Sequence, residues 1–80
     1  MHYVYLLGSL AQSRQIYIGS TDDLRGRIKK HNDGGSVHTS KYRPWELITY
    51  VAFRSKARAV EFERYLKSGS GRAFAKRHFW

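Results

Sequence analysis

Five side chains in this sequence are of types able to do chemistry and fall where they can face one another: Tyr5, Tyr17, Arg27, His31 and Glu63. A phenol can orient or deprotonate water, a guanidinium matches two phosphate oxygens with its planar fork, and a carboxylate can hold a hard divalent cation. Tyr5 and Tyr17 fall in the strand-like runs YVYLL and IYIGS, separated by a polar segment of turn-formers. Arg27 and His31 are four residues apart, so on a helix they are neighbours.

Helical geometry separates these residues from the surrounding charge. With Leu24 at zero, Ile28 falls at about 40°, His31 at about 340° and Arg27 at about 300°; Arg25, Lys29 and Lys30 point elsewhere. Arg27 and His31 therefore edge the packing face. In the later helix, with Ala59 at zero, Leu66 lies at about 340°, Phe62 at about 300° and Glu63 at about 40°, while Glu61 is on the opposite side at about 200°. A carboxylate held against an apolar stripe is costly unless paired, hydrogen-bonded or bound to a cation. Glu63 needs a partner, either an arginine that ties the helices together or a metal ion.

The elements that position these residues read as follows. His2–Leu7 and Gln15–Gly19 form a hairpin, with Tyr3, Tyr5 and Leu7 on one face of the first strand, and with Ile16 and Ile18 opposed to Tyr17 on the second. Gly19 allows a close turn into a helix capped within Ser20-Thr21-Asp22-Asp23 and stopped by Gly34-Gly35. Ser36–Arg43 is a polar, basic loop. Leu47–Phe53 is a third strand, preceded by Pro44-Trp45. Ser55 caps a second helix that runs to about Lys67, where Ser68-Gly69-Ser70-Gly71 ends it, and Gly71–His78 forms a short third helix. The fold class is α+β: a small three-stranded sheet flanked by helices, in the order β-β-α-β-α(-α). One hairpin face is expected to meet Arg27, His31 and Glu63 together.

The bulk properties narrow the function. Eighty residues suffice for one core, and 41% hydrophobic residues exclude a disordered chain. There is no cysteine, so neither disulfides nor thiolate metal sites occur. No apolar run approaches the roughly 20 residues that span a bilayer, and a cytoplasmic protein is expected. Fifteen Lys+Arg against six Asp+Glu leave a formal charge of +9, which points to nucleic acid as partner ahead of an anionic membrane surface. No obligate protein partner is implied. His2, His38 and His78 show no ligand spacing, and Tyr3 reads as packing.

Tyr3-Val4-Tyr5 and Tyr17-Ile18-Gly19, with Arg27 ten residues after Tyr17 and Glu63 in the later helix, resemble the GIY-YIG nuclease domain. YIGSTDDLRGRIKKHN resembles that family's second strand and first helix. KYRPWELITYVAF followed by AVEFERYLKSGSGR is similar to its small single-domain bacterial members. Tyr3 stands where the family has the first Gly, and Ala75 or its neighbours occupy a region where some members carry a polar residue, often Asn.

The resemblance implies that residues 1–80 form one such domain, a metal-dependent DNA endonuclease that is structure-selective and linked to DNA repair or recombination. It implies that Glu63 ligates Mg²⁺ or Mn²⁺ and that Arg27 clamps the scissile phosphate. It also implies Tyr5 as general base, Tyr17 in support, and His31 bonded to a tyrosine or to the leaving group. A phenol with an ordinary pKa of about 10 is a poor base, so Arg27, His31 and the metal are expected to lower it. Lys41, Arg43, Lys67 and Arg72 are expected to contact backbone phosphates. The alternative is a basic nucleic-acid-binding module, on DNA or RNA, that does not turn over.

Overall fold

The computed structural model describes Met1–Trp80. Strands β1 (His2–Ser9), β2 (Ile16–Thr21) and β3 (Trp45–Phe53) form one antiparallel sheet in the order β2-β1-β3. Three helices complete the fold: α1 (Leu24–Asn32) between β2 and β3, then α2 (Lys56–Leu66) and α3 (Gly69–His78) after β3. This is the expected α+β architecture. No helix is long and apolar enough to cross a membrane.

The central position of β1 explains its composition. Val4, Tyr5, Leu6 and Leu7 are all fully buried, because both faces of the middle strand are covered and alternation with polar residues would leave buried orphans. Val4 and Leu6 point to one side, where they join Ile18, Ala59, Leu66 and Ala75, flanked by Phe53, Phe62, Phe74 and Phe79. Tyr5 and Leu7 point to the other side, onto Trp45, Tyr17, Leu24, Ile28 and Tyr42. Helix α1 thus covers one face of the sheet, and α2 with α3 the other.

Caps define the helix starts. The Asp23 side chain accepts from the Gly26 N–H at 3.1 Å, Ser55 from Arg58 at 3.3 Å and Ser68 from Gly71 at 3.2 Å. Several boundaries differ from the sequence reading: β1 runs on to Ser9 and β2 starts at Ile16. Ser20 and Thr21 stay in β2, since they pair with Val4 and Tyr3, and the cap falls to Asp23. β3 begins at Trp45 because Gly8 and Ser9 pair with Glu46 and Trp45. α3 begins at Gly69, since the Ser68 cap draws the Gly-Ser-Gly stretch into the helix. Gly71 is required there: a Cβ would collide with the Tyr65 carbonyl at the end of α2.

Candidate active site

Helix α1 follows β2 almost directly and lies over the Tyr5 side of the hairpin, which carries His31 into the interior. His31 is 2% exposed, and both of its ring nitrogens are engaged. Nε2 lies 2.9 Å from the Tyr5 hydroxyl, and Nδ1 lies 2.8 Å from the Thr39 hydroxyl. Tyr5 is 0% exposed and Thr39 1%, so this is a sealed three-membered chain.

The loop holding Thr39 is fixed from the strand that follows it. The indole N–H of Trp45 donates to the Thr39 carbonyl at 2.9 Å. The Trp45 backbone N–H donates to Asn32 Oδ1 at 2.6 Å, and Asn32 Nδ2 returns a bond to the Trp45 carbonyl at 3.1 Å. Asn32 is next to His31 on α1, so the helix that carries the imidazole also pins its partner. No buried side-chain polar atom in the protein lacks a partner.

Burial lowers the His31 pKa, and the Arg27 and Lys30 charges add to the effect. The ring is therefore neutral at pH 7, with one donor and one acceptor nitrogen. Either Tyr5 donates to Nε2 while Nδ1–H donates to Thr39, or the Thr39 hydroxyl donates to Nδ1 while Nε2–H donates to Tyr5. Tyr5 departs from expectation. Burial, with Tyr17 adding to it, pushes its phenol up to about 12, outweighing the charge and hydrogen bond of Arg27, which pull it down. A sealed phenol cannot be stabilised as an anion by one exposed guanidinium.

Tyr17 occupies the more open position. It is half-buried, and its ring centroid lies 4.7 Å from that of His31 and 6.1 Å from that of Tyr5. Gly19 makes this arrangement fit. It sits opposite Tyr5 in the ladder, and a Cβ there would lie 2.6 Å from the Tyr5 hydroxyl and 2.9 Å from the Tyr17 ring. Arg27 is exposed on α1, close enough for its charge to act on both Tyr5 and His31.

Glu63 is placed differently from the sequence reading. Its Oε1 accepts from the Ser20 hydroxyl at 2.7 Å and its Oε2 from the Lys67 ammonium at 2.7 Å. Ser20 follows Gly19 and so points to the opposite side of β2. Glu63 therefore meets the α2 face of the hairpin, not the face that carries Tyr5, Tyr17 and His31. Angles about a helix axis say which way a residue points, but not which face of the sheet the helix covers. Burial alone would raise the Glu63 pKa, but hydrogen bonds from Lys67 and Ser20, with the charges of Lys67 and His2, hold it below the usual value. Its charged partner is Lys67, the C-cap of the same helix, rather than an arginine of another. Glu61 and Arg25 are exposed, on the outward sides of their helices.

Nowhere do three or more His, Cys, Asp or Glu side chains gather into a metal cage. Glu63 nevertheless fits a hard cation of the Mg²⁺ class, which is commonly held by one carboxylate plus waters and phosphate oxygens. It is ionised and partly open, with its side chain 22% exposed, and the Lys67 side chain paired with Oε2 is itself half-exposed.

Of the four basic residues expected on phosphates, Lys67 and Arg72 lie beside the site, where both line a groove along the β2 edge that Tyr17 also lines. Lys41 and Arg43 do not line that groove. They sit in the α1–β3 connection, with the Lys41 ammonium 5.2 Å above the Tyr42 ring. The sequence reading missed Thr39 and Ser20. Ser20 was accessible through the two-residue alternation beyond Tyr17 and Ile18; Thr39, in an aperiodic loop, carried no signal. Ala75, at the position compared with the family's downstream polar residue, is buried in the core.

The model of the GIY-YIG catalytic domain matches residues 1–77. This chain belongs to the GIY-YIG catalytic domain family. It is 42% identical over 71 residues to the structure-specific endonuclease subunit SLX1 of Debaryomyces hansenii, covering 80% of this chain and 20% of that protein. To the SLX1 subunit of Candida dubliniensis it is 39% identical over 71 residues, covering 80% of this chain and 25% of that protein. The UPF0213 protein YazA of Bacillus subtilis is 39% identical over 67 residues, covering 82% of this chain and 66% of YazA. The chain thus spans about a quarter or less of the length of these fungal relatives. In this GIY-YIG domain the glycine of the second motif is Gly19, and the geometry gives its reason: it is the space into which the two motif tyrosines pack.

Proposed function

We propose that this protein is a metal-dependent DNA endonuclease that hydrolyses phosphodiester bonds, selects its substrate by structure, and serves DNA repair or recombination. Family membership supports nuclease chemistry on nucleic acid, and the relatives named structure-specific endonuclease subunits support the selectivity. The observation that carries the reading is the Gly19–Ser20 edge: on one face open Tyr17 and exposed Arg27 lie by the sealed Tyr5–His31–Thr39 chain, and from the other face ionised Glu63 reaches Ser20. The cysteine-free composition is compatible with the reducing cytoplasm, the compartment we propose.

In this mechanism Arg27 holds two oxygens of the scissile phosphate and offsets the charge that develops on them. Glu63 would hold Mg²⁺ or Mn²⁺, which when bound supplies Lewis-acid polarisation of a phosphoryl oxygen. Tyr17 is the phenol we assign to the attacking water, because it has access. Tyr5 is a positioning residue: sealed and protonated, it keeps His31 in place, and the imidazole in turn packs against the Tyr17 ring. This reverses the roles expected for the two tyrosines.

The test is cleavage of branched, nicked and single-stranded DNA with Mg²⁺ or Mn²⁺ by wild type, Glu63→Gln and Arg27→Ala. We expect each variant to lose at least about a hundred-fold in rate, the scale of removing one charge-stabilising group. If wild type cuts none of these substrates, or if the variants cut as well, the assignment fails. The second reading, a basic module that binds without cutting, is favoured by Glu63 having both oxygens already engaged. It predicts salt-dependent binding that a chelator does not change and no cleavage under any metal.

A further inference from the structure

The β2 edge bears a groove that the five site residues do not account for. Its volume is about 730 Å³, within the range of roughly 300–1,000 Å³ typical of small-ligand sites. Arg14, Lys67, Arg72 and Lys76 line it, and no acidic residue does. Between these cations the surface is apolar: Ile16, Ile18 and Ala75, with the Trp80 indole. Ile16 is 46% exposed and Trp80 39%, although both are large hydrophobic side chains. The Trp80 backbone N–H donates to the Ala75 carbonyl at 3.0 Å, which holds this residue's main chain against the end of α3. Tyr17 belongs to both this groove and the site.

Cations interleaved with exposed apolar and aromatic surface form a specific combination. A duplex presents phosphates outward and hides its base faces, so it would use the charges and leave the indole and Ile16 in water. An unpaired strand offers both, since backbone phosphates reach the basic side chains while a free base stacks on an aromatic ring. Resting on the nuclease reading above, we propose that this groove receives one or two unpaired nucleotides of a DNA strand. A base stacks on Trp80 against Ile16, and Arg14, Arg72 and Lys76 hold the phosphates. Because Tyr17 lines the groove, the captured single strand sets the scissile phosphate next to a paired–unpaired boundary. The groove is the source of structure selection.

The experiment measures fluorescence anisotropy of labelled 12-nucleotide DNA, the same sequence as duplex, and the same sequence as RNA, with chelator present so that nothing is cut. We expect the single DNA strand to bind more tightly than the duplex. Trp80→Ala should weaken single-strand binding about ten-fold, as expected for one stacked base, and leave duplex binding unchanged; Trp80→Phe should recover most of the loss. Arg72→Gln with Lys76→Gln should reduce the salt slope for the single strand by about 1.4, since each single-strand phosphate contact contributes about 0.7. In wild type, stacking should quench the exposed Trp80 indole, while Trp45, 4% exposed, is shielded; this readout does not depend on any variant folding.

Equal loss on duplex and single strand in Trp80→Ala, absence of quenching, or tighter binding of duplex or RNA than of single-stranded DNA would overturn the proposal. Failure here is separable from failure of the nuclease reading. A protein that cuts through Glu63 but treats both forms alike loses only the groove. One that discriminates through Trp80 but never cuts loses only the enzyme.

Discussion

The two faces of the sheet are built from different materials. Under α2 and α3, Val4, Leu6, Ile18, Ala59, Leu66 and Ala75 pack with phenylalanines, and the polar Ser20–Glu63 contact on that face is only half-buried. Under α1 the same central strand contributes Tyr5 and Leu7 to a layer of aromatics threaded by the Tyr5–His31–Thr39 chain. The dry face gains from area removed from water, roughly 1.5–3 kcal/mol for each large side chain buried. The polar face gains less per residue, because its hydrogen bonds mainly replace bonds to water, yet breaking one leaves a buried orphan. One face holds the fold and the other holds a geometry. Their common boundary is Gly19 and Ser20, adjacent residues that point to opposite sides.

The largest effect that separates the faces is expected from Leu66→Ala, which empties a fully buried site in the dry core. It should cost about 3–4 kcal/mol in urea unfolding, while Mn²⁺-supported cleavage by the fraction still folded stays near wild type. If cleavage per folded molecule collapses as well, the faces are not separable.

Next in size is the alkaline limb of stability. Tyr5 has a raised folded-state pKa, so its contribution is complete below pH 10 and is lost as pH rises from 10 through about 12. The loss should be on the order of 2–3 kcal/mol. Tyr5→Phe should lack it, and an unchanged alkaline limb in that variant would show that the polar face does not shelter the phenol. His31 has a lowered pKa, so its contribution is complete above pH 6.5 and fades as pH falls below that value.

The smallest stability change is expected from Gly19→Ala, about 1–3 kcal/mol of overpacking at the boundary itself. Here the activity should fall further than the stability, because the added carbon displaces Tyr5 and Tyr17 together. A fully active Gly19→Ala would place the chemistry away from this edge.

Much of this design was legible along the chain. The run VYLL, apolar at every position, marks a strand covered on both faces. Ser55 announced α2 by being a hydroxyl before a helical pattern, and the angle about that helix separated half-buried Glu63 from exposed Glu61. His31 was traceable to the inward side of α1 by the same arithmetic. Thr39 was not legible, because its role depends on Trp45, six residues on, and on Asn32, seven residues back, folding around it. Trp80 and Lys76 were not legible either, since their groove exists only where α3 crosses the β2 edge.

By itself, then, the sequence determined the elements, the inward and outward sides of α1 and α2, and the residue types able to do chemistry. These follow from local periodicity and capping, which act over a few residues. Only the tertiary structure decided that Glu63 approaches Gly19 from the opposite face to His31, that Tyr5 is sealed while Tyr17 is open, and that a basic, aromatic-lined groove runs past Tyr17. Those outcomes depend on which face of the sheet each helix covers and on which strand lies at its edge, and such choices are made by long-range packing.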